Sequence, residues 1–164
     1  MPHPRTPIGT DSGGFTLIEV LVVMTILGLA ISGVSLSLET LRSRDTDLAS
    51  ERVRWVLEAT AERARIRGQA IAFETLADGY RFSIRDVDGR WIAFEEAPLF
   101  VERILPDALR WASLRVDGVE DDRIVFASRA PRFELRLQSP DAILRLHGRP
   151  TGAVSLERLT PPPT

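Results

Sequence analysis

The most consequential absence in this 164-residue chain is that of cysteine. Without thiols the chain can form no disulfide, no thiolate metal site and no cysteine nucleophile, so a domain outside the cytoplasm has to be held by packing alone. Histidine is almost as scarce, with two residues, His3 and His147. Metal sites and catalytic triads therefore have few candidate residues.

Lysine is also missing, so all 21 basic residues are arginine. Arginine suits phosphate or carboxylate recognition because its planar guanidinium presents several donors at once. Here the arginines are scattered among 23 acidic residues, and the formal net charge is −2. The codon usage of a GC-rich genome explains this pattern better than a binding patch does. No overall charge attracts the chain to nucleic acid.

Proline is absent between Pro7 and Pro98, which leaves a long helix uninterrupted. Within this stretch an apolar run extends from Phe15 to about Val34 and approaches the roughly 20 residues that a membrane span needs. Glu19 is the charged residue inside the run. A carboxylate in apolar surroundings costs on the order of several kcal/mol, so Glu19 requires a partner or a function.

The six residues from Gly14 to Glu19 (GFTLIE) resemble the class III signal peptide of type IV pilins and type II secretion pseudopilins. The resemblance implies that a prepilin peptidase cleaves between Gly14 and Phe15 and N-methylates Phe15. It also implies that Glu19 pairs with the charged N-terminal amine of a neighbouring subunit. An ordinary secretory signal and a plain membrane anchor are the alternatives, and both leave Glu19 unexplained.

The residue pattern, together with what the resemblance implies, divides the chain into five expected parts. These are a leader at 1–14, a transmembrane and assembly helix at 15–35, an amphipathic continuation of that helix at 36–67, a β-rich periplasmic domain at 68–160 and a frayed tail at 161–164. The proline-rich tail cannot join the interior of a sheet.

The continuation of the helix is predicted from a stripe of apolar residues at steps of three, four and seven. The stripe consists of Leu38, Leu41, Leu48, Trp55, Val56, Ala59 and Ile66. We expect this stripe to pack on the globular domain. The pairs Glu51–Arg54 and Glu62–Arg65 are expected to attract each other, and Gly68 to end the helix.

After Gly68 the hydrophobic period changes to two, which predicts about eight short strands. The predicted strands cover 70–75, 80–85, 90–94, 111–116, 123–127, 132–138, 142–146 and 153–159. Residues 97–109 are expected to form a loop with a short helical turn. A helix followed by strands indicates an α+β fold, with a long N-terminal helix whose first half is membrane-embedded, followed by an antiparallel β-sandwich-like domain.

Few side chains suggest chemistry. The segment 86–89 (DVDG) lacks the further ligands of an EF-hand, and the acidic segment 117–122 is better interpreted as a solvated loop than as a calcium site. His147 has no obvious partner in the sequence, which favours a structural role. Because no catalytic constellation is present, we expect no enzyme activity, no catalytic residue, no metal and no cofactor.

A second resemblance covers roughly residues 67–92. The sequence RGQAIAF, then GYRF and GRW, is similar to the H-type minor pseudopilins of type II secretion (GspH-like). Position 36 is leucine, where type IV major pilins and the major pseudopilin often have proline, and the cysteine pair common in major pilins is absent. Both departures favour a minor subunit.

This resemblance implies a structural subunit of the pseudopilus, in its tip complex, that helps to export folded proteins across the outer membrane. The implied partners are other minor and major pseudopilins, the prepilin peptidase, the inner membrane and the inner-membrane platform, with no nucleic acid. The implied location is the inner membrane, crossed once, with the C-terminal domain in the periplasm.

The alternative is a minor type IV pilin (FimT-like) that acts in pilus assembly or in DNA binding and uptake. A mildly basic C-terminal region supports it, formed by Arg129, Arg132, Arg136, Arg145 and Arg149.

Overall fold

The computed structural model describes residues 17–159 and, within that range, no side chains for residues 29–43. The predicted leader and the predicted frayed tail, 161–164, lie outside the described residues. The chain divides into two compact units, Met1–Thr40 and Leu41–Thr164.

A single α-helix, α1, runs from Leu17 to Arg67. The second half of α1 is helical, as predicted, because straight-chain residues and alanine dominate it and no proline interrupts it. Gly68 follows with a φ of 63°, a left-handed conformation that glycine adopts without a Cβ clash. The predicted end of the helix is therefore confirmed, and so are the ion pairs Glu51–Arg54 and Glu62–Arg65, at 2.8 and 2.7 Å.

The predicted apolar stripe is confirmed in part, since Val56 is buried and Ala59 is half-buried. The side chains of Leu38 and Leu41 lie outside the described residues. Leu48, Trp55 and Ile66 are 66, 55 and 66% exposed, whereas Val53 and Leu57 are buried. The buried face of α1 consists of Thr46, Ser50, Val53, Val56, Leu57, Thr60, Ala61 and Ala64. Most of these residues are alanine, serine or threonine, and the larger ones are Val53, Val56 and Leu57. The Thr60 hydroxyl donates to the Val56 carbonyl at 2.7 Å, so its burial leaves no unsatisfied polar group.

Ten strands follow in the described residues. They are β1 (Ile71–Thr75), β2 (Gly79–Arg85), β3 (Trp91–Ala93), β4 (Arg103–Ile104), β5 (Arg110–Val116), β6 (Val119–Glu120), β7 (Arg123–Phe126), β8 (Phe133–Gln138), β9 (Ile143–Gly148) and β10 (Val154–Leu159). The strands β4 and β6 are additions to the prediction. The expected helical turn in 97–109 is absent from the structure, because that stretch instead supplies β4, which pairs with β2.

The strands form two antiparallel sheets. One has the order β3-β2-β1-β7, with β4 also paired to β2, and the other has the order β10-β9-β8-β5-β6. The predicted α+β class with antiparallel sheets is confirmed. The register pairs Phe73 with Phe82 in the first sheet and Leu135 with Leu146 in the second, so apolar side chains share the inner face of each sheet.

The hydrophobic core joins α1 to both sheets. Leu57 of the helix, Phe73 of the first sheet and Leu135 of the second are all fully buried in one cluster. The sheets also contact each other directly, since the Trp111 indole donates to the Gly79 carbonyl at 2.7 Å. At about 25 cal/mol per Å² of buried apolar area, such a core is the main stabilising contribution to this domain.

Candidate functional site

The start of α1 is the candidate assembly segment, which we define as residues 17–28. Its large apolar side chains are all well exposed, from 84% at Leu17 to 45% at Val23. The Thr25 hydroxyl donates to the Leu21 carbonyl at 2.8 Å, so the polar group of this residue is satisfied inside the helix. The assembly segment therefore presents an almost entirely apolar surface, which is typical of an interaction surface.

Glu19 lies in the first turn of α1 and is exposed. A carboxylate there interacts favourably with the positive end of the helix dipole, an effect of about 0.3–1 kcal/mol. The other two predicted site residues, Gly14 and Phe15, lie outside the described residues. The predicted roles of Gly14, Phe15 and Glu19 thus stay predictions. No helix in the described part of the chain is long and apolar enough to cross a membrane.

The carboxylates of the first acidic segment, 86–89, are hydrogen-bonded by the neighbouring Arg90. Asp86 accepts hydrogen bonds from the backbone and the side chain of Arg90, at 2.8 and 3.2 Å, and Asp88 accepts one from Arg90 at 2.9 Å. These bonds fix the turn between β2 and β3. They leave the two carboxylates engaged with a cation that the chain itself supplies.

Two carboxylates of the second acidic segment, 117–122, accept hydrogen bonds from backbone amides. Asp117 accepts a hydrogen bond from the Arg132 amide at 3.1 Å, and Asp121 accepts from the amides of Asp122 and Arg123 at 2.7 and 3.2 Å. Among the described residues no group of three or more His, Asp or Glu side chains could hold a metal ion.

His147 has a partner that the sequence does not reveal. It pairs across the strands with Glu134, and its Nδ1 lies 3.8 Å from a Glu134 carboxylate oxygen. Glu134 also accepts a hydrogen bond from Arg136 at 2.6 Å. The expectation of a histidine without a partner is therefore wrong, because the register of β8 and β9 places the two side chains on the same face of the sheet.

Four of the five basic C-terminal residues fall into two groups, and the fifth, Arg129, is exposed and belongs to neither. Arg136 and Arg145 are neutralised by Glu134 and by Glu157, the latter at 3.6 Å. Arg132 and Arg149 instead line an open cavity of about 800 Å³, together with Arg115, Glu134 and His147. The structure thus brings together a smaller basic cluster than the sequence suggests.

Sequence reasoning missed a buried carboxylate, Glu74, which is 9% exposed. It accepts hydrogen bonds at 2.8 Å from Arg81 and from the Ser83 hydroxyl, and Arg123 lies 3.8 Å away. Burial raises the pKa of Glu74, but the hydrogen bonds from Arg81 and Ser83 and the charges of Arg81 and Arg123 hold this pKa below its ordinary value. The available signal was the position of Glu74 directly after three consecutive apolar residues, 71–73, in a strand that is buried on both faces.

Comparisons with known proteins concern the N-terminal motif and the fold. The prokaryotic N-terminal methylation motif matches residues 10–35, a range that contains Gly14, Phe15 and Glu19. No curated protein sequence matches the chain.

Two solved structures of the minor pseudopilin EpsH from the type II secretion system of Vibrio cholerae are similar in fold. One is 16% identical with a TM-score of 0.56 and covers 73% of this chain and 99% of that chain. The other has the same identity and TM-score and covers 74% and 97%. At this identity the likeness concerns the fold. The chain therefore carries the N-terminal methylation motif of pilin-like proteins and has the fold of a minor pseudopilin.

Proposed function

We propose that this protein is a minor pseudopilin of a type II secretion system, a structural subunit of the pseudopilus tip complex that helps to export folded proteins across the outer membrane. One observation carries the proposal. The methylation motif at residues 10–35 and a fold similar to that of EpsH occur in the same chain. The role is structural and involves no catalysis.

Processing precedes assembly in this proposal. A prepilin peptidase cleaves between Gly14 and Phe15 and methylates the new amine of Phe15. The segment 15–35 then anchors the subunit in the inner membrane, with the domain in the periplasm. The apolar run in the sequence continues through residues 29–34, beyond the assembly segment, which supports this anchoring.

Glu19 sets the register of assembly. When the helix leaves the lipid and packs among other helices, the apolar side chains of the assembly segment exchange one apolar environment for another. The Glu19 carboxylate tolerates burial only beside a cation. The methylated amine of Phe15 on a neighbouring subunit supplies that cation, so only one axial offset between the two helices satisfies both charges.

The test compares Glu19→Ala with Glu62→Ala, a matched control at an exposed glutamate on the same helix. We expect both variants to reach the membrane fraction and to be processed to a methylated Phe15, as measured by mass spectrometry. We expect Glu19→Ala alone to lose crosslinking to other pseudopilins and most secretion. Normal secretion by Glu19→Ala contradicts the role of Glu19. A mature N-terminus at Ser32 or later contradicts the pilin-like processing.

The basic cavity favours a second candidate, a minor type IV pilin that binds DNA. Arg115, Arg132 and Arg149 line this cavity with a single carboxylate, Glu134. A gel shift at low salt separates the candidates, because phosphate contacts strengthen as salt falls. Retardation of DNA by the wild-type chain that disappears when these three arginines are changed to alanine favours the DNA-binding candidate. No retardation removes it.

A further inference from the structure

One exposed face of α1 borders a groove in the globular unit. The sequence pattern predicts that this face is buried in the core. Leu48, Arg52 and Trp55 follow one another on this face of the helix, and β4 faces them with Arg103 and Ile104. We call this the arginine groove and define it by these five residues. It consists of two adjoining cavities, of about 370 and 460 Å³, which share Leu48, Arg52 and Arg103.

The apolar part of the arginine groove is unusually exposed. Leu48, Trp55 and Ile104 are 66, 55 and 75% exposed, although each is a large apolar side chain. Tryptophan in such a position is characteristic of sites that dominate binding energy in interfaces. Leu48 and Trp55 are seven residues apart in α1, which is about 10 Å along the axis at ~1.5 Å per residue.

The charged part of the groove is unbalanced. Among the described residues neither Arg52 nor Arg103 forms an ion pair with an acidic side chain, and Arg103 donates only to the Pro98 carbonyl, at 3.2 Å. Asp45 is the one carboxylate among the residues that line the two cavities. Two guanidinium groups therefore face one carboxylate, and the groove is complementary to an anionic group.

A third observation concerns Tyr80, which lines the smaller cavity and is 2% exposed. Its hydroxyl is buried and has no hydrogen-bond partner among the described residues. Burial raises the pKa of Tyr80, whereas the charges of Arg103 and Arg52 lower it, so both guanidinium groups lie near this side chain. A buried hydroxyl without a partner is rare in folded proteins, and an acceptor atom placed in the cavity would satisfy it.

We infer that the arginine groove binds a helical segment of a partner protein that presents two apolar side chains about two turns apart, with a carboxylate between them. The apolar side chains pack against Leu48, Trp55 and Ile104. The carboxylate accepts hydrogen bonds from Arg52 and Arg103, and from the Tyr80 hydroxyl at the base. This is the helix-in-groove mode of recognition, in which spaced anchors supply affinity and the charge fixes the register. The inference stands apart from the proposed function.

The test uses the full chain in a neutral detergent and a synthetic alanine-based helical peptide as the probe. The peptide carries two leucines about two turns apart and one glutamate midway between them, and a second peptide has glutamine in place of the glutamate. We expect the wild-type chain to bind the glutamate peptide at least about tenfold more tightly than the glutamine peptide. Fluorescence anisotropy of labelled peptides measures both affinities.

The variants assign the effect to the groove. Arg52→Ala and Arg103→Ala should each weaken binding of the glutamate peptide by about tenfold and leave the glutamine peptide unchanged. Arg67→Ala is the matched control, since Arg67 is exposed on the same helix but outside the groove. Tyr80→Phe should weaken the glutamate peptide by about fivefold while the unbound chain melts at the same or a higher temperature.

Other outcomes overturn the inference. Equal affinities for the two peptides, no binding, or an equal loss in Arg67→Ala each exclude this mode of recognition. A dimer in sedimentation that Trp55→Glu dissociates assigns the groove to a second copy of the chain. Binding of dihexanoylphosphatidylglycerol that requires Arg52 and Arg103, without peptide binding, assigns it to a lipid headgroup.

Discussion

The first and second halves of α1 are both helical, but the described apolar side chains are exposed in the first half and several are buried in the second. Residues 17–27 expose every large apolar side chain that they carry, whereas Val53 and Leu57, about three to four turns before the end of the helix, are buried in the core. The second region finds its apolar partner in its own chain. The first region has no such partner among the side chains that the structure describes.

The cause lies in how charge is distributed along the helix. In the assembly segment Glu19 is the one charged residue, so no face of the helix is suited to water. From Arg42 onward, charged residues recur in every turn, and they form internal pairs such as Arg54 with Glu58 at 2.8 Å. The helix is amphipathic only where a domain exists to cover one face.

The largest expected effect separates the two regions directly. Leu57→Ala should lower the free energy of unfolding of the globular unit by about 2–5 kcal/mol, because it opens a cavity in a fully buried site. Leu27→Ala, the matched change in the exposed region, should leave it unchanged. Urea unfolding of the full chain in a neutral detergent, followed by tryptophan fluorescence, measures both. Equal losses in the two variants contradict the comparison.

The next effect concerns a buried charge in the globular unit. Glu74→Gln should lower the free energy of unfolding by about 1–3 kcal/mol at neutral pH, because it weakens charge-assisted hydrogen bonds from Arg81 and leaves polar groups poorly paired. Glu51→Gln, at an exposed glutamate, is the control and should change little.

The pH dependence of the same variant follows from the lowered pKa of Glu74. Because this pKa is lower in the folded state than in the unfolded state, the ionised carboxylate stabilises the fold above the ordinary carboxyl pKa. The contribution is lost as the pH falls through the folded-state pKa. The stability difference between wild type and Glu74→Gln should therefore shrink on acidification. A difference that grows as the pH falls would refute this assignment.

The smallest effect is expected at Glu62, an exposed residue near the C-terminal end of α1. Glu62 pairs with Arg65 at 2.7 Å, but both side chains are more than half exposed, so water screens the pair. Glu62→Ala should leave the thermal midpoint unchanged within error in calorimetry. A clear drop would show that the last turn of α1 depends on this pair.

Local patterns predicted most of the fold. Alternation of apolar and polar residues located β2, β5 and β8 to within a residue or two, since each has one buried face. The two-residue strands β4 and β6 were missed because a strand that short shows no period. Their partners in the sheets are Gly79, which pairs with β4, and Val116, which pairs with β6. Neither residue indicates in the sequence that a further strand pairs with it.

The buried face of α1 was misjudged for a different reason. The steps of seven from Leu41 through Leu48 to Trp55 suggest a core stripe, yet the helix buries Ser50, Val53 and Leu57. Large apolar residues were taken as core residues, but most of the buried face consists of alanine, serine and threonine, which a search for large apolar residues overlooks. The arginine groove was beyond prediction because it joins α1 to β4 across about fifty residues of sequence.

The close contact at Gly79 has a consequence for how this surface can change. A Cβ at this position would lie 2.1 Å from the Arg103 carbonyl oxygen, so β4 reaches the sheet only because residue 79 has no side chain. The rest of β2 remains held by β1 and β3. One methyl group at residue 79 therefore has to displace the segment that carries Arg103 and Ile104, together with the buried Leu105 that follows. A single substitution at residue 79 thus changes one wall of the arginine groove.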